Sequence, residues 1–224
     1  MTRTLIISTL IILTASSALA VLPTRDEPVR TLWLIRHGEY EHGVDTEDEG
    51  GLVALGRQQA RLLAARLDGY PVLFTSLQAS SMTRARETAQ LLAAAFPEVP
   101  LSLHDDIREC TPPTTRSDVM EDLDPGEAEA CQEALETAWA RLFVPAGPDG
   151  DEHDIVVCHG NVIRWFTARV LNNEVRNWLE ASVANCSVTV VQVRADGSTK
   201  LISFADSGHI PWRMTTYPGV TVEQ

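Results

Sequence analysis

The chain has 224 residues, of which 18 are Lys or Arg and 31 are Asp or Glu, for a formal net charge of -13. That length suits one catalytic domain plus a leader. The acidic balance excludes a general electrostatic attraction to nucleic acid or to an anionic membrane.

Residues 1–20 read as a secretory signal, with Arg3 as the positive start, Leu5 to Leu13 as the apolar stretch and Ala18-Leu19-Ala20 as the cleavage pattern. The expected location is therefore secreted or periplasmic. The alternative is a membrane anchor or tether through residues 4–20, although that uncharged stretch falls short of the ~20 residues a spanning helix needs. Residues 21–30 form a Pro-containing linker, residues 31–215 the catalytic domain and residues 216–224 a tail.

Thr31 to Ile35 is a short apolar strand that runs into Arg36-His37-Gly38, and Asp154 to Cys158 is a second that runs into His159-Gly160. Between them, an acidic, Gly-rich loop (residues 38–51) leads to an amphipathic helix over Leu55 to Leu67. A short strand is expected at Val72 to Thr75. Ser80 or Ser81 then caps a helix that runs to about Ala95. Leu101 to Leu103 reads as an edge strand, residues 104–125 as a long loop, and Gly126 to Val144 as an amphipathic helix. After the second His-Gly pair, helices are expected at Val162 to Leu171 and Glu174 to Glu180. Strands at Ser187 to Arg194 and Thr199 to Ala205 flank the hairpin signal Asp196-Gly197. This alternation predicts an α/β fold: three α/β/α layers around a mainly parallel sheet, with a late antiparallel hairpin.

The four cysteines lack zinc-site spacing. Cys110 and Cys131 are either a disulfide or two small buried thiols. Cys158 and Cys186, inside apolar strand patterns, are expected to be buried.

A strand end fixes a side chain, and a following glycine lets the backbone approach a ligand closely. Two imidazoles held this way point to phosphoryl transfer. His37 suits a nucleophile that splits hydrolysis into two steps through a phosphohistidine. Arg36 beside it offers a planar fork for phosphate oxygens. Asn161 starts the helix after His159, where it either orients an imidazole, donates to phosphate or caps the helix. No metal or other cofactor is expected from the ligand spacing.

The ordered set Leu34-Ile-Arg-His-Gly-Glu39, Ser81-Met-Thr-Arg-Ala-Arg-Glu-Thr-Ala89, Arg108-Glu109 and Cys158-His-Gly-Asn161 resembles the histidine phosphatase superfamily. Tyr40, the string Ser80 to Ala85, Ile107-Arg-Glu109, His159 to Arg164, Asn185 to Thr189 and Asp206-Ser-Gly208 are most similar to its mitochondrial serine/threonine protein phosphatase branch. The resemblance implies His37 as the phosphorylated nucleophile, Arg36, Arg84 and His159 as the phosphate pocket, and Glu109 as the proton donor. Arg86 competes with Arg84, because both lie on one helix with Glu87 and Gln90, but the Arg-Ala pattern favours Arg84. The sequence departs from the family in two places: Val53 lacks the usual hydroxyl, and Ser76 to Ala79 looks like an insertion. Nothing in residues 21–30 matches the branch's Trp-rich multimerisation motif, so a large assembly is not expected; the sequence leaves the oligomeric state open and is compatible with a dimer.

The implied substrate is a phosphorylated protein or a small phosphomonoester. The rival readings are an exported phosphatase of an envelope metabolite such as a lipopolysaccharide phosphosugar, a phosphoglycerate mutase, and a non-catalytic phosphopeptide-binding module. Against the mutase, the chain lacks the Trp-Asn stretch after Arg-His-Gly-Glu. Against the module, a binder has no use for both a nucleophile and a proton donor.

Overall fold

Five α-helices and six strands make up the protein in a computed structural model that describes residues 27–43 and 50–217. The leader and tether expected at residues 1–20, most of the linker, the middle of the 38–51 loop and most of the tail lie outside the described residues. Among the described residues, no helix is long and apolar enough to cross a membrane.

The strands are β1 (Arg30–Arg36), β2 (Ser76–Ser80), β3 (Leu101–His104), β4 (Glu152–Cys158), β5 (Val188–Val193) and β6 (Thr199–Asp206). They form one sheet in the order β3-β2-β4-β1-β5-β6. β3, β2, β4 and β1 are parallel, whereas β5 is antiparallel to both its neighbours, β1 and β6. Gly197, at φ 79°, supplies the left-handed turn residue between β5 and β6.

Both faces of the two central strands are apolar, so both faces need covering. Leu32, Leu34, Val156 and Cys158 join one core with α4 (Glu127–Leu142) and α5 (Gly160–Val170). Trp33, Ile35, Ile155 and Val157 join the other with α1 (Ala54–Asp68) and α2 (Thr83–Ala95). The three-layer architecture is therefore as expected. α3 (Ser117–Glu121) is a short helix within the 104–125 loop, which also contains a 3-10 turn at Asp105–Ile107.

Three local expectations are corrected. Val72 to Thr75 is not a strand: Phe74 packs its ring 5.6 Å from that of Trp33, so this apolar run covers the lower edge of the sheet. The supposed insertion that follows is β2 itself, which buries Leu77 and Ala79 and pairs with β3 on one side and β4 on the other. Neither Ser80 nor Ser81 occupies the N-cap of α2, which is Met82.

The chain after His37 is pressed against α1 backbone to backbone. A Cβ at Gly38 would lie 2.7 Å from the Gly56 carbonyl oxygen, and one at Gly56 would lie 1.9 Å from that of Glu39. Gly56→Ala is expected to destabilise the fold by about 2–3 kcal/mol, because the obstruction is main chain and has no rotamer to yield. Urea unfolding measures this, and an unchanged midpoint would mean that the loop is not fixed against α1.

Candidate active site

Arg36 and Cys158 are register partners on adjacent parallel strands. The next residues, His37 and His159, therefore leave the sheet at the same end, with ring centroids 5.0 Å apart. The main chain of His37 is held on both sides: its N–H donates to the Cys158 carbonyl at 3.0 Å, and its carbonyl accepts from Asn185 Nδ2 at 2.9 Å.

Two hydrogen bonds define the His37 ring. Nδ1 lies 2.8 Å from the Gly38 carbonyl, which can only accept, so Nδ1 carries the proton. Nε2 accepts from Arg84 Nε at 3.1 Å, so its lone pair faces the cleft beside a guanidinium. Burial, with Arg36 and Arg84 adding to it, holds this imidazole well below the ordinary histidine range. It is thus neutral, with a defined nucleophilic nitrogen.

His159 is fully buried and set by a different contact. Its Nε2 lies 2.8 Å from Ser80 Oγ, which already accepts from the Met82 N–H at 3.3 Å. The Ser80–Nε2 contact fixes the orientation of the His159 ring. Its Nδ1 has no hydrogen-bond partner in the protein, and Glu109 Oε2 lies 3.6 Å away. Burial first, then His37 and the neighbouring arginines, keep His159 well below the ordinary range as well.

Glu109 reaches the cleft from the segment after the 3-10 turn, with 24% of its side chain exposed. Burial raises its carboxyl above the usual carboxylate range, against the opposing pull of Arg36, the Asn161 N–H and Arg84. A carboxyl whose proton is held more tightly than usual, beside the two imidazoles, is suited to act as a general acid.

The other expected residues fall into two groups. Arg36 is buried in the cleft, tied by Nη1 to the Val183 carbonyl at 2.6 Å, and burial lowers its guanidinium from the ordinary range. Arg84, only 2% exposed, also lies under the Tyr40 ring at 4.6 Å. By contrast, the Asn161 side chain turns away from the phosphate position, donating to the Cys110 carbonyl at 2.9 Å, while its N–H donates to Glu109 Oε1 at 3.2 Å. Arg86 bonds the Ser81 carbonyl and Thr83 hydroxyl at the start of α2.

Ser80, Tyr40 and Arg164 complete the site. A Cβ at Gly160 would touch both Arg36 and Arg164, at 3.2 and 3.3 Å, so these guanidiniums close on one glycine. Arg164 stands in the motif His159 to Arg164, but its position one helical turn after Gly160 was the only sign of a role.

The fold also does what spacing did not suggest: one ligand-type atom each from His37, Glu109 and His159 lies within 4.8 Å of the others. Such a trio has the atoms to hold a metal ion. With Arg36 and Arg84 against it, a cation there would meet like charge, whereas an anion is favoured.

Comparison with known proteins agrees. The profile of the Histidine phosphatase superfamily (branch 1) matches residues 32–143 and 146–206. The chain belongs to the histidine phosphatase superfamily. Among relatives of this superfamily, it is 38% identical over 187 residues to "Serine/threonine-protein phosphatase Pgam5, mitochondrial" of Caenorhabditis briggsae, covering 81% of this chain and 64% of that protein. It is 32% identical to the Homo sapiens counterpart over 189 residues, with the same coverage of 81% and 64%. The chain therefore spans a little under two thirds of the length of these relatives. Among solved structures, phosphoglycerate mutase from Bacillus anthracis superposes with a TM-score of 0.63 at 20% identity, covering 82% of this chain and 96% of that one. The alpha-ribazole phosphatase from Shigella flexneri gives 0.63 at 20% identity, covering 79% and 96%. These structures share the fold of this histidine phosphatase family member.

The expected secreted or periplasmic location is corrected by the same comparison, since the matched relatives are named as mitochondrial proteins.

Ser80→Ala removes the hydroxyl that orients the His159 ring. It is expected to lower kcat/KM about 3- to 10-fold, the worth of one buried hydrogen bond. Steady-state kinetics measure this, and unchanged kinetics would mean that His159 is oriented without Ser80.

Proposed function

We propose that this protein is a phosphomonoesterase working by double displacement through a phosphohistidine on His37, with phosphoserine and phosphothreonine in proteins as its substrate class. Residues 31–215 are the catalytic domain. The observation that carries the reading is the His37 ring, whose Nδ1–H is committed to the Gly38 carbonyl and whose Nε2 lone pair faces the cleft beside Arg84.

In the first half-reaction, Nε2 attacks phosphorus and the bond to the ester oxygen breaks. Arg36, Arg84 and His159 stabilise the equatorial oxygens, and Glu109 gives its proton to the leaving alcohol. In the second, the Glu109 carboxylate takes a proton from water as that water attacks the phosphohistidine. The phosphorus–nitrogen bond breaks, Nε2 regains its lone pair and inorganic phosphate leaves. The positive charge comes from the guanidiniums, so no metal or other cofactor is required.

Phosphoprotein as substrate is supported by the relatives, each named a serine/threonine-protein phosphatase, and their names likewise support a mitochondrial location. The disulfide described below adds that the surroundings are oxidising. A small phosphomonoester is the second reading, in line with the shared fold of the alpha-ribazole phosphatase.

The two displaced groups set the pH dependence. His37 is held below its ordinary range, so activity falls on the acid side only where that lowered value is crossed and Nε2 takes a proton. Glu109 is held above its ordinary range, so activity toward alkyl phosphates falls on the alkaline side as the acid is lost.

Brief incubation with a labelled phosphomonoester in the presence of a chelator, followed by an alkaline quench, tests the mechanism. Acid-labile, alkali-stable label is expected on the wild type and none on His37→Ala. Loss of label on wild type together with unchanged turnover of the variant would overturn it. Glu109→Gln should slow hydrolysis of serine phosphate about 100-fold or more and that of p-nitrophenyl phosphate far less. Equal slowing would remove Glu109 from the acid role.

A further inference from the structure

The proton donor stands on a segment without regular structure. Residues 108–116 form neither helix nor strand, and the Glu109 N–H makes only a weak contact, 3.3 Å from Met82 Sδ. General acid catalysis nevertheless requires the carboxyl within hydrogen-bond reach of one oxygen. Something outside the segment must hold it.

α4 does so at two points that flank Glu109. Three residues before it, Asp106 is gripped by Arg141 of α4 through two bonds, Nε to Oδ2 at 2.8 Å and Nη2 to Oδ1 at 2.7 Å. Directly after it, Cys110 is joined to Cys131 of α4 by a disulfide, with Cα atoms 5.6 Å apart. α4 itself is fixed, burying Ala128, Cys131, Leu135, Ala138 and Leu142. The Cys110 carbonyl, meanwhile, takes the Asn161 amide, so the cysteine beside the acid is held covalently on one side and by hydrogen bond on the other.

We infer that the Cys110–Cys131 disulfide is a positioning element for Glu109, rather than only a stabiliser of the fold. The inference rests on the reading of Glu109 as the proton donor. Its selectivity follows from the layers. His37 and Arg36 are set by β1 and Arg84 by α2, and α2 belongs to the core on the opposite face from α4. Loss of the bridge therefore reaches the acid and leaves the nucleophile and its arginines in place. A displacement on the order of 1 Å at a reacting group is enough to cost up to ~100-fold.

Phenyl phosphate and p-nitrophenyl phosphate differ little in shape but much in how far the leaving oxygen needs a proton. The ratio of their kcat/KM values reports on the acid alone. Because both substrates read the same active molecules, the ratio is also independent of how much protein is folded. In the full chain, Cys110→Ser with Cys131→Ser is expected to lower the phenyl to p-nitrophenyl ratio about 10-fold. A dithiol reductant acting on the wild type should do the same: the bridge takes two electrons and two protons to give two thiols, and the reductant closes to its own disulfide. That reductant should leave the serine variant unchanged. In a Glu109→Gln background, removing the cysteines should not alter the ratio further.

An unchanged ratio in the serine variant, with Glu109→Gln still lowering it, would overturn the positioning role and leave Glu109 as the acid. An unchanged ratio in Glu109→Gln itself would instead sink the acid reading and the inference with it.

Discussion

The hydrogen bond from His37 Nδ1 to the Gly38 carbonyl leaves Nε2 as the only ring nitrogen with a lone pair to offer. Much of the surrounding structure holds that bond and the main chain that carries it. Gly38 leaves no room for a side chain, since a Cβ there would lie 2.7 Å from the Gly56 carbonyl oxygen. Its N–H donates to Thr88 of α2 at 3.1 Å, so the helix that brings Arg84 also fixes the loop that orients the nucleophile.

The His37 carbonyl depends on a longer chain of contacts. Asn185, fully buried, donates to it and accepts from the Thr216 hydroxyl at 2.9 Å. Thr216 also accepts from Gln59 of α1 at 3.0 Å, and Gln59 in turn accepts from the Glu39 N–H at 2.8 Å. Polar side chains with no solvent access are thereby satisfied, and each is spent on the loop that holds His37. His159 is held through Ser80, and Glu109 through the Asn161 N–H and the two α4 contacts that flank it. Three supports on separate elements thus converge on one cleft at the end of the parallel strands, where such folds place their ligands.

Much of this was legible in the sequence because strand-end motifs tie chemistry to position. His37, Arg36, Arg84, Glu109 and His159 were all singled out from their motifs, and the fold does bring them together. What escaped depended on contacts between distant segments. Ser80 reads as a helix cap because a serine before a helical run usually is one; only the adjacency of β2 and β4 places it against His159. β2 itself was misplaced because Ser76-Leu-Gln-Ala-Ser80 has no β-branched residue, while the more apolar Val72 to Thr75 beside it packs on Trp33 instead. The Cys110–Cys131 pair stayed open because a separation of 21 residues says nothing about distance until α4 is laid beside the acid's segment. Asn161 was read as orienting an imidazole, donating to phosphate or capping the helix, and its side chain serves the Cys110 carbonyl.

The position of the phosphoryl group on the trapped intermediate tests the account most directly. Peptide mapping of the quenched protein, with nitrogen–phosphorus coupling measured by NMR on histidine-labelled material, locates it to one atom. The account requires phosphate on Nε2 of His37. Phosphate on Nδ1 of that ring, or on His159, would contradict it.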